Sequence, residues 1–337
     1  MTLFLLKYRA ASPLHFRRLF SQMRLLPTLI LALAGCFAGP QDALAQQREG
    51  AKPPQEMPPG DAVVRAPLGP SEIVITTTTR LAGAIHSLTW NGREFIDSTD
   101  HGRQLQSASS FDNAPAAGPE TFNPTEAGSR RDGAGPRSTS RLLELSTVDN
   151  VLRTRTQMAF WLTPGERSSG QLARNASALS RHVLHKEVRI GAFGLPNVLD
   201  YAVTFEVPED ESHATAQFEA LTGYMPADFS VFHRFVRAKG VLEPLSDGPG
   251  EQSEPVVLST PDGNYAMGII STEPPPPRML GPSYGRFRFP AEKVVKWNCV
   301  FRLRDGVPPG AYRFRLYVSV GTLGDVTNAL RSLSAPR

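Results

Sequence analysis

The stretch Leu199-Asp200-Tyr201-Ala202-Val203-Thr204-Phe205-Glu206-Val207 decides the fold class. Leu199, Tyr201, Val203, Phe205 and Val207 fall on one face of an extended chain, and Asp200, Thr204 and Glu206 fall on the other. Successive strand residues point to opposite sides, so a period of two marks a strand with one dry face and one wet face. The pattern recurs on either side of this stretch. Ala214–Leu221 sets Thr215, Gln217 and Glu219 opposite its apolar positions. Trp297, Cys299, Phe301 and Leu303 share a face, as do Tyr312, Phe314, Leu316, Val318 and Val320 against Arg313, Arg315 and Ser319. Nearer the start, Glu72–Thr79 is rich in β-branched residues. Ala84–Trp90 then runs into Asn91-Gly92 and Glu94-Phe95-Ile96, the signature of a two-residue hairpin turn. One helix is expected, Val326–Leu333, capped by Asp325. Long strands with so little helix argue against βαβ units. The expected fold is all-β: a large antiparallel β-sandwich with one short C-terminal helix.

Composition narrows the function classes. The formal charge of +4 arises at the amino end, where Lys7, Arg9, Arg17, Arg18 and Arg24 face a single acid, Asp42; beyond residue 45 the chain carries 31 bases and 31 acids. A nucleic-acid binder needs a basic surplus or stripe. None is present, and no nucleic-acid partner is expected. Cys36 and Cys299 are the only cysteines, and Cys299 sits in the strand-like Trp297-Asn298-Cys299-Val300-Phe301, where an inert core thiol is expected. A lone thiol also excludes a cysteine-based zinc site. His182 and His185, three apart in a strand pattern, would face opposite ways, so that pair alone does not make a metal site. No P-loop, dinucleotide fingerprint, H-E-x-x-H, EF-hand or G-x-S-x-G motif is present, and no metal or cofactor is expected.

Residues 1–45 read as an export signal. Leu25–Leu33 is an apolar run behind Arg24, too short to span a bilayer and of the length of a signal-peptide core. Ala43-Leu44-Ala45 supplies small residues for cleavage, with Gln46 then first in the mature chain. An alternative is Leu33-Ala34-Gly35-Cys36, which is similar to a bacterial lipobox and would lipidate Cys36. Either ending puts the protein outside the cytosol, in the periplasm or beyond. Any membrane attachment would be through lipid at Cys36. Residues 46–70, rich in Pro, Gly, Gln and charge, read as a flexible tether, and residues 71–334 as a single domain.

Two local sequences carry chemistry. Asp100-His101-Gly102-Arg103-Gln104-Leu105-Gln106 packs a histidine, an arginine and two amides into one short stretch. His101 suits proton transfer near neutral pH, and Arg103, Gln104 and Gln106 suit holding a carboxylate or sugar oxygens. Phe122-Asn123-Pro124-Thr125-Glu126-Ala127-Gly128 lies inside the long Gly/Pro/Ser/Arg-rich insertion 111–140. There Asn123 is a candidate substrate ligand and Glu126 a candidate acid or base. His233, polar among Phe229, Phe232 and Phe235, is a third candidate catalytic residue. For each, a plain structural role is the alternative: a polar surface strand, a turn, a satisfied strand histidine.

Leu81-Ala82-Gly83-Ala84-Ile85-His86-Ser87-Leu88, with Trp90-Asn91-Gly92-Arg93-Glu94 after it and Gly102-Arg103 beyond, resembles the opening of galactose-mutarotase-like proteins. The resemblance implies a β-supersandwich in which Arg103 binds sugar, a histidine such as His101 or His233 is the acid and a late glutamate is the base. Glu251 and Glu254 fall at a suitable place for that glutamate. The expected function is therefore that of an exported carbohydrate-active protein, working on a sugar or polysaccharide by acid/base chemistry. A non-catalytic glycan-binding module and a cell-envelope interaction protein are the alternatives.

Overall fold

Alternation becomes sheet throughout the computed structural model, which describes residues 57–112 and 120–335. The expected export segment lies outside the described residues. The chain runs through β1 (Ala62–Leu68), β2 (Ser71–Thr77), β3 (Ile85–Trp90), β4 (Arg93–Glu94), β5 (Leu105–Phe111) and β6 (Pro124–Thr125). Next come β7 (Arg141–Val148), β8 (Val151–Phe160), the small hairpin β9 (Arg167–Ser168) with β10 (Gln171–Leu172), β11 (Leu179–Ala192) and β12 (Leu195–Val207). After these follow β13 (Ala216–Pro226), β14 (Val231–Val236), β15 (Val241–Pro244), β16 (Gly250–Gln252), β17 (Val256–Ser259) and β18 (Ala266–Ile270). The last are β19 (Leu280–Phe289), β20 (Val294–Leu303), β21 (Gly310–Gly321) and α1 (Leu323–Ser334).

The strands form two antiparallel layers. The first runs β1-β2-β3-β5-β13-β20-β19-β16. The second runs β7-β8-β11-β12-β21-β18-β17-β14-β15. Short β6 joins them by pairing with both β5 and β8. This is the all-β sandwich that the alternation predicts. The dry faces meet between the layers: Phe205 of the second layer lies 5.2 Å, centroid to centroid, from Phe218 of the first. Trp297, Tyr201 and Phe218 are fully buried there, each contributing about 2–3 kcal/mol by burial. Cys299 joins this core, where burial pushes its thiol well above the ordinary cysteine value. Gly223 faces Trp297 across the β13–β20 pair, and a Cβ there would fall 2.5 Å from the indole. The Asn91-Gly92 turn forms as expected, with φ of 50° and 72°, joining β3 to β4.

Two boundaries differ from the sequence reading. Ala62–Leu68, inside the stretch read as tether, is a strand whose full length pairs with β2. It lies at the edge of the first layer, where Pro67 is tolerated because only one side needs hydrogen-bond partners. The helix begins earlier than expected, at Leu323, because Thr322 rather than Asp325 is the cap. Thr322 Oγ1 accepts from the Asp325 amide at 3.2 Å and Asp325 Oδ2 accepts from the Thr322 amide at 3.0 Å, a reciprocal capping box. Val326, Ala329, Leu330 and Leu333 then cover part of the outer face of the second layer, over Val257, Ala266, Ile270 and Tyr317.

One ion pair is sealed in the core. Lys186 points inward from β11 and bonds Glu126 Oε1, and both side chains have 0% exposure. Glu126 Oε2 accepts from the Ser107 amide at 3.0 Å. Ser107 Oγ lies 3.0 Å from Tyr201 Oη and donates to the Ala220 carbonyl at 2.8 Å. Burial, with the Glu126 charge adding, pushes the Tyr201 phenol well above its usual value. Stripping water from two charges costs several kcal/mol, which mutual attraction only offsets. Removing one partner is therefore worse than removing both. Lys186→Met should lose about 3–5 kcal/mol in urea unfolding, and Lys186→Met with Glu126→Gln should recover at least half of it. Equal losses in the single and double variants would show the pair is not what the core is built around.

Candidate functional site

Strand β20 turns Trp297, Cys299 and Phe301 into the core, so Lys296, Asn298 and Arg302 must lie on the outer face of the first layer. Residues paired across antiparallel strands share a face. Lys296 pairs with Tyr224 of β13 and Phe287 of β19. The next outward row is Gln106 of β5, Thr222 of β13, Asn298 of β20 and Gly285 of β19. The β13 register shifts between Glu219 and Leu221, a bulge that brings Glu219 and Thr222 onto the same face although they are three apart.

The bulge builds a compact polar cluster. Lys296 Nζ lies 3.2 Å from Glu219 Oε2, and Thr222 Oγ1 donates to that oxygen at 2.6 Å. The ammonium also sits 5.2 Å from the Tyr224 ring centre and 5.5 Å from that of Phe287, within cation–π range. The two charged side chains are only 14% and 17% exposed. Burial opposes the charge of Lys296, but Glu219, Tyr224 and Glu120 outweigh it and hold the ammonium above its ordinary value. Glu219 is likewise disfavoured by burial, yet Lys296, Thr222 and Asn298 bring it below the ordinary glutamate value. Glu120 goes the other way: burial and then the Glu219 charge raise it, with Lys296 only partly compensating. Two glutamates that interact with one lysine thus have their proton affinities pushed apart, the arrangement that separates an acid from a base.

Polar groups extend the cluster. Gln106, 6% exposed, donates from Nε2 to the Gly102 carbonyl at 3.0 Å, while its Oε1 is buried without a hydrogen-bond partner. Trp161 rests on Gly102, where a Cβ would come within 2.8 Å of the indole. Arg302 donates to Gln217 at 2.9 Å and makes a two-pronged pair with Glu251 at 2.8 and 2.6 Å.

The sequence-derived candidates separate into two groups. Arg103, Gln104 and Gln106 lie just before and within β5, and Asn123 lies just before β6. Arg103 is held by Asp100 at 3.2 Å and Asp97 at 3.9 Å. Gln104 donates to the Asp100 carbonyl, and the Asn123 carbonyl accepts from the Trp161 amide at 2.8 Å. The three candidate catalytic residues are not brought together. His101 is buried with Nδ1 2.7 Å from the Gly133 carbonyl and Nε2 2.9 Å from the Arg80 carbonyl, clasping two loops. Glu126 is the sealed partner of Lys186. His233 stands on β14 in the second layer, 3.4 Å from Ser259 Oγ, with burial lowering its proton affinity. Of the late glutamates, Glu254 pairs with Arg237 at 3.2 Å.

Glu219, Lys296 and Glu120 were missed. Glu219 and Lys296 are the outward members of alternating strands, where charge reads as a solvated face. Their proximity depends on β13 lying beside β20, which no local pattern announces. A further groove lies on the outer face of the second layer, lined by Arg153, Arg155, His185, Glu187 and Arg315 among others. Three of its arginines are paired with acids: Arg153 with Glu187, Arg155 with Glu144 and Arg315 with Asp200.

No family model and no curated protein matches the chain. Solved structures do. The Slr1438 protein from Synechocystis sp. PCC 6803 aligns with a TM-score of 0.42 and 10% identity, over 77% of this chain and 96% of that one. The α-galactosidase from Lactobacillus brevis aligns with a TM-score of 0.40 and 9% identity, over 78% of this chain and 40% of the enzyme. A candidate aldose 1-epimerase from Klebsiella pneumoniae aligns with a TM-score of 0.33 and 11% identity, over 78% and 82%.

A group whose proton affinity rises on folding stabilises the fold at low pH and loses that contribution as pH climbs through its folded value. Glu120 is such a group. Glu120→Gln should leave the melting midpoint unchanged at pH 4 and raise it by about 2–4 °C at pH 8. An equal shift at both values would show that Glu120 carries no raised proton affinity.

Proposed function

We propose that the outer face of the first layer binds carbohydrate and moves protons on it, in a protein that works outside the cytosol. The observation that carries this reading is the opposed pair Glu120 and Glu219 around Lys296. Glu219, with its proton affinity lowered, is the base, and Glu120, with its proton affinity raised, is the acid. Lys296 stabilises negative charge that develops on a substrate oxygen between them. Around this centre the groups suit a polyhydroxylated ligand. The unpartnered Gln106 Oε1 accepts a hydroxyl proton, Arg103 donates at the edge, and the Trp161 and Phe287 rings pack on the apolar faces of sugars. The chemistry is proton transfer at a sugar carbon or ring oxygen, the step common to epimerisation and elimination. In this reading Glu120 and Glu219 take the acid and base roles, while His101 and Glu126 hold the frame behind them.

Export through residues 1–45 is part of the proposal. Mass spectrometry of the protein from its native cell should find Gln46 at the amino terminus, or a lipidated Cys36, in an envelope or secreted fraction.

The test of activity is a screen of mono-, oligo- and polysaccharides for turnover and affinity. The active pH range follows from the shifts. Rate falls on the acid side as Glu219 takes a proton, below the ordinary glutamate range, and on the alkaline side as Glu120 loses one, above it. On a turned-over glycan, Glu219→Gln should lower kcat/KM by about 10²–10⁴ and abolish the acid limb while binding persists. Binding without turnover, unchanged in Glu219→Gln, would instead identify a glycan-binding module. No binding across the panel would contradict the carbohydrate reading.

A further inference from the structure

A second cluster forms where the inward face of β11, the β12–β13 connection and the end of β5 meet. His182 Nε2 lies 2.8 Å and His213 Nε2 3.3 Å from the same atom, Glu211 Oε2. These three donor atoms all lie within 4.8 Å of one another. Both histidine side chains are buried, at 2% and 6% exposure, while the Glu211 side chain reaches solvent at 16%. His182 is inward because β11 alternates, which separates it from outward His185; its partner is His213, thirty-one positions along and beyond reach of any local motif.

The surroundings orient each group. His213 turns Nδ1 to Asp112 Oδ2 at 2.9 Å. Asp112 is fixed by Arg174 at 2.9 Å and by the Ala214 amide at 2.6 Å. Arg181 takes Glu211 Oε1 at 3.2 Å, leaving Oε2 toward the histidines. Phe111 packs against both imidazoles, at 4.9 and 4.4 Å between ring centres. Where His213 is neutral and donates from Nδ1 to Asp112, its Nε2 lone pair faces a carboxylate oxygen, a contact that either a proton on Nε2 or a metal ion resolves. Lone pair against lone pair is repulsive, and a cation between them removes the repulsion. Two imidazoles and a carboxylate, with a second carboxylate behind one imidazole, are the donor set of a zinc-class site. Tetrahedral bonds of about 2.0–2.1 Å place donor atoms about 3.3 Å apart; the two histidine–Glu211 separations are 2.8 and 3.3 Å, and the two histidine nitrogens lie within 4.8 Å of each other.

We propose that His182, Glu211 and His213 bind one divalent metal ion of the zinc class, with Asp112 orienting His213 and water completing the coordination. No local motif pointed to a metal, because His182 comes from β11 while Glu211 and His213 come from the β12–β13 connection. The ion ties β11 to the β12–β13 connection and, through Asp112, to the end of β5, the connection that carries Glu120. It acts as a clamp beside the polar face rather than as part of it.

The test uses the purified chain, stripped with a chelator and titrated with Zn²⁺ and with Co²⁺. One ion should bind per chain, Co²⁺ should give the intense visible bands of a four-coordinate site, and Zn²⁺ should raise the melting midpoint by several degrees. Glu211→Gln, nearly isosteric and checked for folding by circular dichroism, should weaken Zn²⁺ at least 100-fold. Asp112→Asn should weaken it about 10–100-fold at unchanged stoichiometry. Absence of saturable binding, binding unaffected by Glu211→Gln, or nitrogen NMR finding protons on both His213 nitrogens at saturating Zn²⁺ would overturn the proposal in favour of a plain ion network.

Discussion

Lys296 and Trp297 are neighbours in the chain and lie on opposite sides of one sheet. That geometry follows from the pleat and cannot be relaxed locally, since a slip of one residue would bury the ammonium and expose the indole. Trp297 fixes the register from inside, where Gly223 leaves room for it. Every outward residue of β5, β13, β20 and β19 is then placed by what its neighbour does in the core. The polar face is the consequence of a packed interior, and its precision is inherited from that interior.

Charge is handled differently on the two sides of this layer. Lys186 and Glu126 are sealed between the sheets, balanced against each other and against Ser107, and have no route to solvent. Lys296 and Glu219 are largely covered but still reach solvent, share their field with Glu120, and sit on the same outer face as an amide oxygen that lacks a partner. The first arrangement holds a loop to a strand. The second has polarity to spare, and that surplus marks it as the place where a ligand would complete the hydrogen bonding.

The period of two in Val198–Val207, Trp297–Leu303 and Tyr312–Val320 was enough for the class of fold, because each strand has one dry face. Asn91-Gly92 was enough for its turn. Edge strand β1 was hidden by the prolines around and within it, Pro58, Pro59, Pro67 and Pro70. The β13 bulge was hidden too, since strict alternation sends Thr222 away from Glu219 when in fact they hydrogen-bond. Arg103, Gln104 and Gln106 are close in sequence, so their common position at β5 could be read locally. Glu219 with Lys296, and His182 with His213, are pairs created by strand order. One chain read alone carries no record of that order.

The central claim is that the surroundings of Lys296 push the proton affinities of two glutamates in opposite directions, Glu219 down and Glu120 up. The direct measurement is a carbon-13 NMR titration of the side-chain carboxyl resonances of Glu120 and Glu219, assigned with Glu120→Gln and Glu219→Gln. The account predicts that Glu219 titrates below the ordinary glutamate value of 4.5 and Glu120 above it. Two resonances that titrate together near that value, or in the reverse order, would contradict it.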